Sequence, residues 1–590
     1  MSPRLTRWFP FVLGAAAFGL FASTAARTIT WWDGAHYPLL AATLSISAPP
    51  GSLLLTLVGW LWTRVRWAPS VAFQLNLLAA LFAAFTVGLV GRLAIRMRGS
   101  ATQRDNADML AGVAAAGWLA CSFHFWAHAT QFTPYGLTAL FTALLLTLFV
   151  RWWERAANAD DLAGLALFTA CLGLDVSVHR TNQLLAPAVL AGVLLRRPGI
   201  FRRPRALVAL ALAYVAGVST QLGYLVLSSR HPFLNTANMR SLPDLGRYVR
   251  LDPIGGGFLV SLWPRRADFL HVQLADWLAV LWRSMGASEV TRWVAVGLAL
   301  VGVVDLGRRS PRLMTTLVAF FLSAGLGAVL YFNRPEHFMR PLDRHYLASV
   351  VVLAIFVGAG LAAILRLSPE RGPSLGRVVP RLALAGLLAG NVVGNFSSLD
   401  RSHTQYAERF ARDLLEPLAP HAILFTNGDN DTFPLYYLQQ VMHIRQDVLV
   451  ANLPSLGWPE RLRALGRTEP MFAGIDAGDH IVRDIIAANR WRRPVYASVT
   501  VPADSAPELT RNTQLEGLAT ASGQVSHLRA TLHWSVSCAR GCRGWGSTTP
   551  DRSSRTRCGP CSRIMASSGC NSPRTNASGA TRRAVSRRLN

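Results

Sequence analysis

Between residues 8 and 396, apolar runs of membrane-crossing length recur one after another, and arginine clusters sit in the gaps. A span needs about 20 mostly apolar residues. On that rule helices are predicted near 8–26, 71–91, 108–128, 135–150, 161–178, 183–195, 206–228, 291–306, 313–332, 346–365 and 382–396. Cytoplasmic loops carry the excess of basic residues. With Arg4 and Arg7 placed inside and the chain reversing at each of about eleven spans, the clusters fall on one side. They are Arg92, Arg96, Arg98 and Arg104, then Arg151 and Arg155, then Arg196, Arg197, Arg202, Arg203 and Arg205. Arg308, Arg309 and Arg312 follow, and then Arg366, Arg371, Arg377 and Arg381. An alternation that survives every reversal constrains the fold more tightly than any single run. The expected fold is a polytopic α-helical protein of the inner (plasma) membrane, with a cytoplasmic N-terminus.

The same alternation decides how to read the charge. A formal net charge of +27 would suit nucleic acid, but the arginines act as topology signals between spans, so no nucleic-acid partner is expected. None of the 59 basic residues is Lys, which points to a GC-rich coding bias rather than to guanidinium chemistry. Residues 8–26 read as an uncleaved first helix because further spans follow. The segment Gly51 to Val65, GSLLLTLVGWLWTRV, would break the alternation if it crossed, so it is predicted to be a re-entrant or interfacial helix within the outer loop 27–70.

The first domain is thus residues 1–396, and from 397 to 516 the composition becomes that of a small soluble α/β domain outside the membrane. Ala422 to Thr426 reads as a buried strand, GDND as a turn, and DTFPLYYLQQV as a helix capped by Asp431. Asp447 to Leu453 is the next strand, so a parallel unit is expected, and Arg492 to Val501 supplies a further strand. The two carboxylates of GDND could hold Ca²⁺, but a turn with a helix cap explains them without it. Residues 517–590 are rich in Ser, Arg, Gly and Cys without apolar periodicity, and are read as disordered or as a frameshift product. CGPC (Cys558 to Cys561) lacks the preceding strand that a redox motif requires.

The stretch Ile423 to Leu453, ILFTNGDNDTFPLYYLQQVMHIRQDVLVANL, resembles the signature of bacterial membrane proteins related to an animal transmembrane protein O-mannosyltransferase. Weaker matches are WWDGAHY with APPG in the first loop, Leu172 to Pro187, and RPLDRHYLAS from Arg340 to Ser349. These proteins are grouped with the GT-C glycosyltransferases, so the resemblance implies a GT-C-like helical domain and a lipid-linked sugar donor. The family usually has Glu where this chain has His36, His where it has Ala48, and Glu-Val-Tyr where it has QFTPY from Gln131 to Tyr135.

Sugar transfer from a polyprenyl phosphate needs a base for the acceptor hydroxyl and cationic or hydrogen-bonding groups for the departing phosphate. Asp33 is the only carboxylate of Trp31 to Gly51 and is flanked by Trp31 and Trp32, and the resemblance implies the same catalytic role for it. The bland alternative is that it caps a short loop helix. His36, His179, Arg180, Arg344 and His345 lie in outer loops and are the candidates for binding the donor phosphate. The expected partners are a polyprenyl-phosphate-linked sugar, an extracytoplasmic protein or glycan acceptor, and the bilayer. No metal ligands are named, and a divalent metal is left open. The alternative functions are a transporter or flippase for lipid-linked sugars, or a catalytically inactive scaffold.

Overall fold

The computed structural model describes residues 3–97, 106–156, 161–252, 270–332, 342–367 and 375–457, with shorter stretches from 462 to 522. The chain opens with α1 (Pro3–Thr24), the short α2 (Asp33–Thr43) and α3 (Leu53–Trp62), and the long α4 (Val71–Arg96). Next come α5 (Asn106–Cys121), α6 (Phe123–Ala129), α7 (Pro134–Arg155), α8 (Leu162–Asp175), α9 (Ala186–Arg196), α10 (Pro204–Val218) and α11 (Gly223–Ser228). Between the predicted spans 206–228 and 291–306, which leave 229–290 on the outer side, the described residues include α12 (Leu242–Val249) and α13 (Leu270–Met285). α14 (Glu289–Arg309), α15 (Pro311–Tyr331), α16 (Leu347–Arg366) and α17 (Leu375–Leu399) complete the helical domain.

All the predicted spans are helical, but their number is not settled by length. Among the described residues seven helices are long and apolar enough to cross a membrane, or up to eight if α5 and α6, bent by 68°, form one span. Trp8–Thr24 and α8 are apolar but shorter, and α9 has only 11 residues. α3, at 10 residues, is too short to span and packs on α2 and α4, consistent with its exclusion from the alternation.

α16 is the central helix. Of its apolar window, 94% is buried, against 17% for the window that joins α10 and α11. α14 lies against α16 through two glycines, since a Cβ on Gly360 would stand 1.8 Å from the Leu298 carbonyl and one on Gly302 1.9 Å from that of Phe356. Within a bilayer such backbone approach replaces the hydrophobic drive between helices.

The α/β domain begins with α18 (Tyr406–Leu415) and centres on β1 (Ile423–Thr426), whose four residues are all buried. α19 (Asp429–Gln440) returns the chain to β2 (Leu449–Asn452), parallel to β1 as expected. β3 (Val495–Ser498) lies parallel on the other side of β1. β4 (Thr513–Glu516) and β5 (Ala519–Ser522) extend the sheet antiparallel, in the order β2-β1-β3-β5-β4. The sheet therefore runs past the expected boundary at 516. CGPC and everything after 522 lie outside the described residues.

Asp431 is not the N-cap of α19. Gly428 holds that position, and Asp431, three residues on, accepts the backbone N–H groups of Asn427 (3.1 Å) and Gly428 (2.9 Å). Donors at the helix start that would otherwise be orphaned are satisfied from inside the first turn rather than from before it. This end of α19 packs on α2, which joins the α/β domain to the first loop of the helical domain. Thr28 donates to the Glu408 carboxylate, and the Ala72 N–H reaches the Tyr437 hydroxyl at 3.0 Å.

Candidate active site

Asp33, His36, His179, Arg180, Arg344 and His345, scattered over more than half the chain, line one cavity of about 280 Å³. Three pieces of structure bring them there, and a fourth adds to the wall. α2 supplies Asp33 and His36, the 3₁₀ turn Arg180–Leu185 after α8 starts with Arg180, and the 3₁₀ turn Asp343–Tyr346 before α16 holds Arg344 and His345. The fourth is α19, whose Asp429 and Phe433 also line the cavity.

Local sequence explains the shape of the first loop. Trp32 sits at φ 58°, ψ −129°, a region that favours glycine, and turns the chain sharply into α2. A Cβ on Gly34 would meet the Thr30 hydroxyl at 1.8 Å, so the turn closes only around a glycine. Asp33 is then the first residue of α2, not its cap; Trp32 holds the cap position without a side-chain bond. The helix dipole favours a carboxylate there. Its direct partner is the Tyr135 hydroxyl at the start of α7, which donates to Oδ2 at 2.8 Å.

His36 is buried and stacks on Phe433, ring centroids 3.9 Å apart and planes within 12°. Burial lowers its pKa from the ordinary 6.5, against the opposing pull of Asp33 and Asp429, so the ring is held towards its neutral form. Its Nε2 is buried with no hydrogen-bond partner. His179 Nδ1 accepts from the Thr181 backbone N–H at 3.3 Å, which assigns the proton of a neutral ring to Nε2.

Two arginines carry the positive charge. Arg180 has Nε and Nη2 buried without protein partners, and burial pulls its pKa down from 12.5. The Arg344 guanidinium lies 5.5 Å from the Tyr135 ring centroid, with its Nε likewise buried and unpaired. Buried N–H donors are nearly always satisfied in folded proteins. Such groups around a cavity are what an anionic ligand would complete.

Several neighbours escaped the sequence reading. Asp343, beside Arg344, meets His128 Nε2 at 3.0 Å and His124 Nδ1 at 3.4 Å. The two histidines are four residues apart on α6, a spacing that puts them on one helical face and was legible in principle. Nothing in the sequence says that the bend before α6 would turn that face towards residue 343. Tyr135 closes QFTPY, the segment that stands where the family has Glu-Val-Tyr, and nothing in that segment points to a bond with Asp33. Asp429 belongs to the GDND turn, which a turn with a helix cap explains, and it also lines the cavity. Among the described residues no three His, Cys, Asp or Glu side chains are grouped to hold a metal ion.

A helical membrane domain with polar loops gathered under a small α/β domain is the arrangement of a GT-C-fold protein. The structure superposes on ArnT from Cupriavidus metallidurans bound to undecaprenyl phosphate with a TM-score of 0.54 at 14% identity, over 87% of this chain and 97% of that one. Apo ArnT gives 0.50 at 12% identity with the same coverage. Residues 33–199 match the Protein O-mannosyl-transferase TMEM260 N-terminal domain, and residues 407–459 match TMEM260-associated domain 2. The mouse Protein O-mannosyl-transferase TMEM260 is 25% identical over 475 residues, which cover 77% of this chain and 64% of the relative. The chain is thus a multi-pass membrane protein with a GT-C-like fold, similar over parts of its length to TMEM260.

Proposed function

We propose that this protein is a membrane glycosyltransferase that moves a mannose-like sugar from a polyprenyl-phosphate donor to a hydroxyl group, with a protein side chain as the favoured acceptor. The observation that carries this reading is the convergence of one carboxylate with a hydrogen-bonded tyrosine, Asp33 and Tyr135, and two arginines with unpaired buried donors, Arg180 and Arg344, around a single cavity. The relationship to an O-mannosyl-transferase and the fold shared with a protein that binds undecaprenyl phosphate support the choice of donor and acceptor.

In this reading the acceptor oxygen attacks the anomeric carbon and the bond from that carbon to the phosphate oxygen breaks. The acceptor proton passes to Asp33, and the electron pair leaves with the polyprenyl phosphate. Tyr135 fixes the orientation of the Asp33 carboxylate. Arg180 and Arg344 meet the charge that grows on the phosphate, while His36, His179 and His345 offer further hydrogen bonds to the donor. The side of the membrane follows from the arginine alternation: the cavity and the α/β domain would face away from the cytoplasm.

The test is transfer of labelled mannose from synthetic polyprenyl-phosphate mannose to extracytoplasmic proteins by the wild type and by Asp33→Asn. The variant is expected to lose at least about 100-fold in rate. Equal transfer by both would remove Asp33 as the base. A reporter fused at residue 400 that is active in the cytoplasm would overturn the orientation.

A further inference from the structure

A second cavity, of about 470 Å³, lies at the other end of the helical domain, between the end of α7, the start of α8 and the turn that leads into α10. α7 connects the two sites: Tyr135 lines the first and Trp152 the second, 17 residues later. At 1.5 Å per residue that is about 26 Å, close to the thickness of a bilayer's hydrocarbon core. The second cavity therefore belongs to the opposite membrane face.

Its lining is divided. The floor is apolar, with Trp152, Ile200 and Ala206 all buried. The rim carries Arg202, Arg203 and Arg205, whose side chains are exposed. Among the described lining residues the one carboxylate is Asp161, whose Oδ1 accepts the Gly164 N–H at 2.9 Å and whose Oδ2 lies 3.6 Å from Arg155. It stands against Arg197, Arg202, Arg203 and Arg205, so the described lining is cationic on balance. The side towards α10 is continuous with exposed Leu207, Val208 and Leu212, in the helical stretch with the least burial of the seven spans. An exposed apolar helix face meets lipid chains.

An apolar floor, a cationic rim and a lipid-facing side complement an amphiphile with an anionic head. We propose that this cavity binds an anionic glycerophospholipid from the leaflet opposite the candidate active site. The phosphodiester lies between Arg202 and Arg205, and the first acyl methylenes lie against Trp152 and Ile200. Arginine forks suit phosphate oxygens geometrically, and a basic pocket between spans at the membrane surface attracts acidic headgroups. The bilayer supplies head and chain together at this depth, which a soluble phosphate cannot.

The experiment uses the full chain purified in detergent and delipidated, titrated with phosphatidylglycerol, phosphatidylcholine, undecaprenyl phosphate and inorganic phosphate, with bound mass read by native mass spectrometry. Phosphatidylglycerol is expected to bind best, and Arg202→Gln/Arg205→Gln to weaken it about tenfold or more. The control Arg308→Gln/Arg309→Gln removes two exposed arginines assigned to the same face and is expected to leave binding unchanged. Equal losses in both double variants would reduce the effect to general surface charge and overturn the site. Tighter binding of phosphatidylcholine, or undecaprenyl phosphate binding that Arg202→Gln/Arg205→Gln weakens more than it weakens phosphatidylglycerol, would overturn the ligand class. So would inorganic phosphate competing as well as the lipid, because the apolar floor would then play no part.

Discussion

The Tyr135 hydroxyl donates to the Asp33 carboxylate across 2.8 Å, joining the start of α7 to the first residue of α2 over 102 positions of sequence. This bond gives the proposed base a fixed direction. A hydrogen bond to a charged group contributes about 1.5–3 kcal/mol, so Tyr135→Phe is expected to lower kcat about 10- to 100-fold. KM for the lipid-linked sugar should change little, because the phenol orients the carboxylate rather than holding the donor. Steady-state kinetics with varied donor separate the two, and a kcat equal to wild type would remove Tyr135 from the mechanism.

Arg344 tests the phosphate assignment. Charge on the bridging oxygen grows as the bond to the sugar breaks, so a cation placed there acts mainly on the transition state. Arg344→Ala is expected to lower kcat by about 10²–10³, in the range seen for loss of one stabilising donor. Arg344→Lys keeps the charge and loses the planar fork, so it should recover only part of the rate. Full activity in the Ala variant would place the leaving group elsewhere, with Arg180 as the next cation to test.

His36 carries a pH signature. Its folded pKa lies below the ordinary 6.5, so as pH falls through that value the unfolded chain takes up a proton that the folded protein resists. The stabilising effect of the neutral buried ring is present above about pH 6.5 and is lost on acidification. Melting temperatures in detergent at pH 7.5 and pH 5.5 should therefore fall more for the wild type than for His36→Gln. Equal falls would mean that the ring titrates normally despite its stack on Phe433.

How much of this was legible in the sequence depends on range. The helical stretches were readable because apolar length is a local property, and the parallel pairing of β1 with β2 followed from a strand, helix, strand order. The six candidate residues could be named because each stands in a polar stretch of one predicted face, and they line one cavity. Pairings across the chain were not readable. The bend after Cys121 aims His124 and His128 at Asp343, and no single run encodes it. The place of Asp429 in the cavity lining was hidden because its turn has a sufficient local explanation in the bonds from Asn427 and Gly428 to Asp431.

The same long-range blindness covered the link between the two domains, and it supplies the last prediction. Trp32 adopts a backbone conformation that costs a non-glycine residue about 1–3 kcal/mol. Its N–H is held by Asn430 Oδ1 at 2.7 Å, a bond from α19 of the α/β domain to the residue immediately before Asp33. One such hydrogen bond contributes about 0.5–1.5 kcal/mol, so it offsets part of the strain but not all, and the packing of α2 on α19 must supply the rest. Asn430→Ala is expected to reduce sugar transfer about fivefold or more, since the turn that aims Asp33 loses its clamp. Global melting should shift by only a few degrees. Trp32→Gly in the Asn430→Ala background removes the strain the clamp opposed and should restore part of the rate. If Asn430→Ala transfers sugar like the wild type, the α/β domain is a neighbour of the site rather than one of its walls. If the rate falls and glycine at position 32 rescues it, the domain positions the proposed base directly.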